Sequence, residues 1–277
     1  MNKLNFLTPG IPHTSKPNKS LENGLMRIKE MGLDGMELEY TRGIRVDFPK
    51  MQEIGRLAGE LGLILTAHAP YYINLFAREK DKVDRSYQYI LDTARALDSA
   101  GGYSIVFHAA YNLGARPHEV YDHVREHIEH IAALARKEVI RVWIRPELMG
   151  KISQFGTLEE IIRLSKETGG RIAPCIDFAH LHARTGRYNT YEEFARVFEY
   201  IGEELGDTAL ENMHMHFSGI LYSQKGEQKH VNLRYSDFRY REFAKSLKDF
   251  NICGALTVES PNIEGDTLLM KLIYKSM

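Results

Sequence analysis

Eight side chains in this sequence have the chemistry of metal ligands and share a recurring setting. Asp177 closes the apolar run Ile172–Ile176, and His180 follows three residues later in RIAPCIDFAHLHAR. A carboxylate and an imidazole leaving a buried strand at that spacing form a hard-plus-borderline pair suited to a divalent cation. His68, His108, Glu147, His216 and Glu259 likewise stand at or near the ends of apolar runs, and His230 lies in the polar stretch after the seventh run. One imidazole after a strand is usually an ordinary hydrogen-bonded residue; six such groups at successive strand ends point to a metal centre. Four or more histidines with three carboxylates exceed the needs of one tetrahedral ion. Two or three ions sharing a carboxylate are therefore expected: zinc from the imidazole-rich set, or manganese where carboxylates dominate. Clusters of that kind serve in-line displacement at phosphorus.

The elements that must position these groups alternate along the whole chain. Strand-like runs are expected at Leu4–Leu7, Gly35–Glu39, Leu63–Ala67, Tyr103–Phe107, Val142–Pro146, Ile172–Ile176, Met213–Phe217 and Ala255–Val258. Helical periodicity follows each, at Ser20–Met31, Lys50–Leu61, Lys80–Ala100, Pro117–Lys137, Thr157–Glu167, Tyr191–Leu205, Ser236–Phe250 and Thr267–Lys275. Eight strand-plus-helix units can close on themselves and abolish both sheet edges, so the fold class is α/β, a (β/α)8 TIM barrel with its site at the C-terminal ends of the strands. An open doubly wound sheet would carry a Gly-rich phosphate turn after the first strand, and none is present. No linker or change of composition divides residues 1–277, so one domain is expected. His180 and His230 are placed in the loops after strands six and seven.

Composition narrows the partners. The formal net charge is −1, which offers no global basic surface for nucleic acid and leaves that work to a local groove or to bound cations. Cys175 and Cys253 cannot build a disulfide framework and read as free, buried thiols of a reducing compartment. The opening MNKLNFLTPG has no signal-peptide pattern, and no run of 18 apolar residues occurs. A cytoplasmic protein with no membrane partner, acting as a monomer, is expected.

Seven segments, in order and spacing, resemble the endonuclease IV family of apurinic/apyrimidinic endonucleases, within the xylose-isomerase-like barrels. They are AHAPYYINL (67–75), VFHAAY (106–111), RPELMGK (145–151), CIDFAHLHA (175–183), MHFSG (215–219), KHVNL (229–233) and TVESPN (257–262). The resemblance spans Leu61 to Asn262 and implies a zinc-dependent endonuclease that cleaves DNA 5′ to abasic sites. It implies three zinc ions: one on His68, His108 and Glu147; one on Glu147, Asp177, His216 and Glu259; one on His180 and His230. Glu147 and Glu259 would be the catalytic carboxylates, and Tyr71 would lie beside the DNA cleft. The family has an aspartate where this chain has Gln228, and Glu227, one residue earlier, is expected to leave the backbone in another direction. The loop after strand two, which enters DNA in the family, is here the short YTRGIRVDF (40–48), where Arg42 and Arg45 are the candidate phosphate contacts. His214 is expected in the barrel core, His182 beyond the Asp177/His180 pair, and His123, His127 and His130 on a solvated outer face.

The alternative is a divalent-metal sugar isomerase or epimerase on the same barrel, in which Glu147, Asp177, His216 and Glu259 hold one ion and the two glutamates move a proton beside a carbonyl. His68, His108 and His230 are superfluous for that chemistry and required for a cluster. A metal-holding sensor without turnover is the third class, and a turnover assay separates it from the first.

Overall fold

The computed structural model describes residues 1–277. The chain starts with β1 (Leu4–Pro9), α1 (Leu21–Glu30), β2 (Gly35–Glu39), α2 (Phe48–Leu61), β3 (Ile64–His68) and α3 (Lys80–Ser99). It continues with β4 (Ser104–Phe107), α4 (Pro117–Lys137), β5 (Trp143–Pro146), α5 (Leu158–Thr168), β6 (Cys175–Asp177) and α6 (Phe178–Thr185). Then come α7 (Tyr191–Leu205), α8 (Asp207–Leu210), β7 (Met213–Phe217), and the hairpin strands β8 (Gly219–Ser223) and β9 (Gly226–Val231). After a 3-10 turn at Leu233–Tyr235, α9 (Tyr240–Asp249), β10 (Gly254–Val258) and α10 (Glu264–Ser276) complete the fold.

Eight of the strands form one parallel sheet in the order β5-β4-β3-β2-β1-β10-β7-β6. Its ends meet at a seam where β5 and β6 share only the isolated bridges Ile144–Ile172 and Glu147–Cys175. The result is the nearly closed (β/α)8 TIM barrel expected from the alternation. The strands are buried on both faces by helices and by one another, which is why they read as apolar runs without alternation. The sixth strand is shorter than the expected Ile172–Ile176 because Pro174 has no N–H to give to the ladder. The helices start where local chemistry directs. Asp47 caps α2, accepting from Lys50 N–H, and Thr157 and Glu160 form a reciprocal box at the start of α5.

Three elements depart from the sequence expectations. A helix, α6, begins directly after β6, because the Asp177 carboxylate caps it by accepting from His180 N–H at 2.7 Å; His180 is therefore helical and not on a loop. The stretch after β7 is an antiparallel hairpin, so His230 sits on a strand, β9. Helix α9 starts at Tyr240, four residues later than Ser236, whose hydroxyl is bonded to Ile220 N–H of the hairpin. Cys175 is buried, but Cys253 is only half-buried, just ahead of β10 where the chain enters the barrel bottom. On the outer ring His123 and His130 are exposed, while His127 is half-buried and bonded to Tyr87 OH at 2.6 Å.

Candidate metal centre

Strand geometry brings the expected groups together. His68 is the last residue of β3, Asp177 the last of β6, and His108, Glu147 and Glu259 directly follow β4, β5 and β10. His216 is the penultimate residue of β7. All six open onto the same C-terminal mouth, and His180 from α6 and His230 from β9 cover it from one side. Groupings able to hold a metal ion include His68–His108–Glu147, Glu147–Asp177–His216–Glu259 and Asp177–His180–His230, beside Cys175–His214–His216 and Glu37–Glu39–Glu259.

Glu147 lies at the centre of the arrangement. Its Oε2 is 3.2 Å from His68 Nε2 and 3.1 Å from His108 Nε2, while its Oε1 is 3.1 Å from His216 Nδ1. One carboxylate thus presents an oxygen to each of two groups, the geometry a bridging ligand requires. Burial favours the neutral acid, but His216 and His108 outweigh it and hold the Glu147 carboxyl well below the usual range. Burial opposes a charged His68 as well, yet Glu147, Glu39 and Glu37 raise its pKa to about 9. Glu259 behaves in the opposite way: burial, with Glu147, Asp177 and Glu39 nearby, pushes it up to about 8 against the pull of His216.

The donor set fits a cation on two observations. Asp177 Oδ2 is buried with no hydrogen-bond partner, since only Oδ1 is used for the helix cap. His180 and His230 approach Nε2 to Nε2 at 3.3 Å, while each Nδ1 faces a backbone carbonyl, Leu148 O at 3.0 Å and Glu259 O at 3.3 Å. A carbonyl only accepts, so both protons of the neutral rings reside on Nδ1 and the two Nε2 lone pairs face each other. That contact needs a positive charge between or on the rings.

A second layer fixes the rings. His68 Nδ1 faces Ala69 O at 2.7 Å, which leaves Nε2 for the centre. Glu37, fully buried in the middle of β2, places Oε1 2.9 Å from His216 Nε2 and Oε2 3.0 Å from His214 Nε2, in contact though out of line for ideal hydrogen bonds. Thr66 holds Glu37 at 2.7 Å, and Ser104 Oγ faces His214 Nδ1 at 2.7 Å. Glu37 therefore orients His216, the role carboxylates commonly play behind metal-facing histidines. Nothing in the sequence pattern assigns Glu37 a role. Its only signal was a charge in the centre of an apolar strand.

Tyr71 stacks on His108 with ring centroids 5.0 Å apart, at the rim of a cavity of about 380 Å³ that also takes in Tyr111, Lys151, Glu227 and His230. Arg42 and Arg45 are exposed on the β2–α2 loop and pair with no acid, so they stay outside the cluster. His182 points away from it, with Nδ1 facing Arg187 O and Nε2 3.2 Å from Asp237. A larger cavity, about 430 Å³, lies at the opposite end of the β5–β6 seam around Trp143 and Arg145, and no histidine or carboxylate lines it.

Comparison with known proteins agrees with this architecture. The chain is 36% identical over 278 residues to an uncharacterised protein of Methanocaldococcus jannaschii, covering 99% of this chain and 98% of that one. It is 22% identical over 227 residues to a probable endonuclease 4 of Mycoplasmoides gallisepticum, covering 81% of this chain and 73% of that one. Among solved structures, endonuclease IV from Thermus thermophilus superposes with a TM-score of 0.70 at 19% identity over 97% of this chain and 98% of that one. A D-tagatose 3-epimerase-like protein superposes with a TM-score of 0.74 at 18% identity over 97% and 96%. Likeness at these identities carries the fold and not the reaction. The profile of one family matches residues 25–272, nearly the whole barrel, and by that match the chain belongs to the xylose isomerase-like TIM barrel family.

Proposed function

We propose that this protein is a zinc-dependent phosphodiesterase that cleaves DNA 5′ to abasic sites. The observation that carries the reading is the surplus of ligands around Glu147: His68 and His108 meet one of its oxygens while His216 meets the other. A single-ion enzyme has no use for that second face. His68, His108 and Glu147 would hold one ion; Glu147, Asp177, His216 and Glu259 a second; His180 and His230 would contribute to a third. When bound, such a cluster supplies an acidified water and neutralises charge on the phosphodiester.

The chain's own residues do the rest. Glu259 stands 3.4 Å from His216 Nδ1 at the mouth and is the group to orient the attacking water and accept its proton. Tyr71, stacked on His108, presents an aromatic face to an unstacked sugar or base, and Arg42 and Arg45 reach phosphates of the flanking strand. Water adds to phosphorus, the bond to the upstream 3′ oxygen breaks, and the products are a 3′ hydroxyl and a 5′ phosphate on the abasic residue. The test is incision of a short labelled duplex bearing one abasic-site analogue, beside an undamaged duplex. Cleavage only at the lesion, abolished by chelator, is expected; no cleavage with a full metal complement overturns the reading.

The second reading, a sugar isomerase or epimerase, draws on the group Glu147–Asp177–His216–Glu259 taken alone and on a cavity of about 380 Å³, roomy enough for a monosaccharide. Interconversion of ketoses by the metal-loaded protein, followed by chromatography, decides for it.

A further inference from the structure

The hairpin contains a register shift that changes which carboxylate reaches the centre. Ile220 pairs with His230 and Leu221 with Lys229, but Tyr222 pairs with Glu227. Gln228 is left over, a bulged residue with an exposed side chain. In an unbroken strand, residues 227 and 230 would project to opposite faces. The extra residue cancels one alternation, so Glu227 and His230 share the face of Ile220 and Tyr222. That face packs on Ala179 and Ala183 of α6, the helix that carries His180. The expectation that Glu227 points elsewhere is thereby corrected, and the bulge is the reason.

Two glycines let β9 approach closely enough. Glu227 N–H donates to Gly150 O at 3.1 Å, and Lys151 bridges Gly226. A methyl group on Gly150 would lie 2.7 Å from Glu227 Cβ and 2.9 Å from His180 Cδ2. On Gly226, whose φ is +88°, it would lie 2.1 Å from Gly150 O. With those positions clear, Glu227 Oε2 comes within 3.5 Å of His180 Nε2 and Oε1 within 3.9 Å of His230 Nε2. The two facing Nε2 atoms therefore have a carboxylate beside them.

We propose that Glu227 is the carboxylate ligand of a divalent transition-metal ion held with His180 and His230, standing in for the aspartate that Gln228 replaces. Asp177 Oδ2, without a hydrogen-bond partner and 3.3 Å from His180 Nδ1, belongs to a grouping able to hold a metal with the same two histidines. Two imidazoles and two carboxylates make a complete tetrahedral zinc set, and two imidazoles with one carboxylate leave the fourth position to water. The inference rests on the metal-cluster reading, yet it concerns binding and can fail separately from DNA cleavage.

The test is metal content and affinity in the full-length protein, for wild type, Glu227→Gln and Gln228→Ala, each checked for folding by circular dichroism. Zinc per chain is measured by mass spectrometry after equilibration with graded chelator, and cobalt-loaded samples are compared by visible absorption. Expected is one fewer retained ion in Glu227→Gln, with a loss of about 10- to 100-fold or more in affinity for that ion, altered cobalt bands, and no change in Gln228→Ala. Equal zinc content and equal bands in Glu227→Gln overturn the proposal, as does a loss confined to Gln228→Ala. Should Glu227→Gln fail to fold, Glu227→Asp, which shortens the reach without removing the charge, is measured in the same way, and unchanged zinc retention overturns the proposal. A wild type that binds the extra ion but leaves abasic duplex intact upholds the ligand and sinks the endonuclease; incision by a Glu227→Gln protein with undiminished zinc does the reverse.

Discussion

The two ends of this barrel bury charge in opposite ways. At the N-terminal end Asp34 accepts from Lys3 at 2.8 Å, from Lys271 and from Phe6 N–H, while Lys271 also donates to Gly32 O. Arg145, wholly buried, gives its guanidinium protons to Pro174 O and Asn212 O. There the charged groups find partners within the chain, apart from Arg145 Nε, which is buried without one. At the C-terminal end carboxylates crowd carboxylates, the Nε2 atoms of two imidazoles face each other, and Asp177 Oδ2 has no hydrogen-bond partner. A charge is tolerated in an interior only when paired, so the bottom is finished by folding and the mouth is finished by something added. That asymmetry marks the functional end without reference to any relative.

The largest break in the comparison is Glu147→Gln, which keeps the shape but removes the shared charge. Turnover on abasic duplex should fall by about 10³-fold or more, with zinc content falling in parallel; unchanged activity sinks the cluster. Glu37→Gln acts one layer back, loosening His216, and should weaken metal affinity by about 10- to 100-fold while leaving all eight ligand candidates in place. Equilibrium dialysis against zinc measures it.

At the other end, Asp34→Asn strands a mostly buried Lys271 and should cost about 2 kcal/mol of stability with no change in zinc content, read by denaturant unfolding. Burial raises the Asp34 pKa, but Lys271, Lys3 and Phe6 N–H outweigh it and lower the value overall. Its contribution is thus fully present above the unfolded carboxyl pKa and is lost as pH falls through the lower folded value. The mouth has the reverse sign. In metal-free protein Glu259, raised to about 8, stays protonated when folded and ionises when unfolded above its ordinary pKa of 4.5. His68 and His180, both raised to about 9, likewise hold protons only in the folded state above 6.5. Metal-free protein should therefore lose a few degrees of Tm as pH rises from about 6.5 to 9, and zinc should remove that slope. A flat metal-free profile would show that the mouth is not strained by its own charges.

The sequence discloses part of this. Apolar runs ending in His68, His108, Glu147, Asp177 and Glu259 were legible because a strand buried on both faces is mostly apolar until it emerges, so the barrel and its mouth came together. Glu37 was not legible: an acid within a strand ordinarily marks a solvent-facing position, and only the closed interior makes it a buried anchor. Glu227 was hidden for another reason. Side-chain direction on β9 depends on a register that Leu221 and Tyr222 set from the opposite strand, and the spacing from 227 to 230 alone gives the wrong face. The hairpin's signal was present in the turn before Gly226, but short strands with polar edges carry little periodicity.

The β5–β6 seam has a mechanical consequence. Glu147 directly follows one lip and Asp177 ends the other, and between them the backbone supplies only isolated bridges. An ion gripped by both carboxylates acts as a clasp on a split ring, fastening the hoop where its own stitching is thinnest. Amide hydrogens of Cys175–Asp177 should then exchange markedly more slowly once zinc is bound, with little change across the continuous β1–β2 pair.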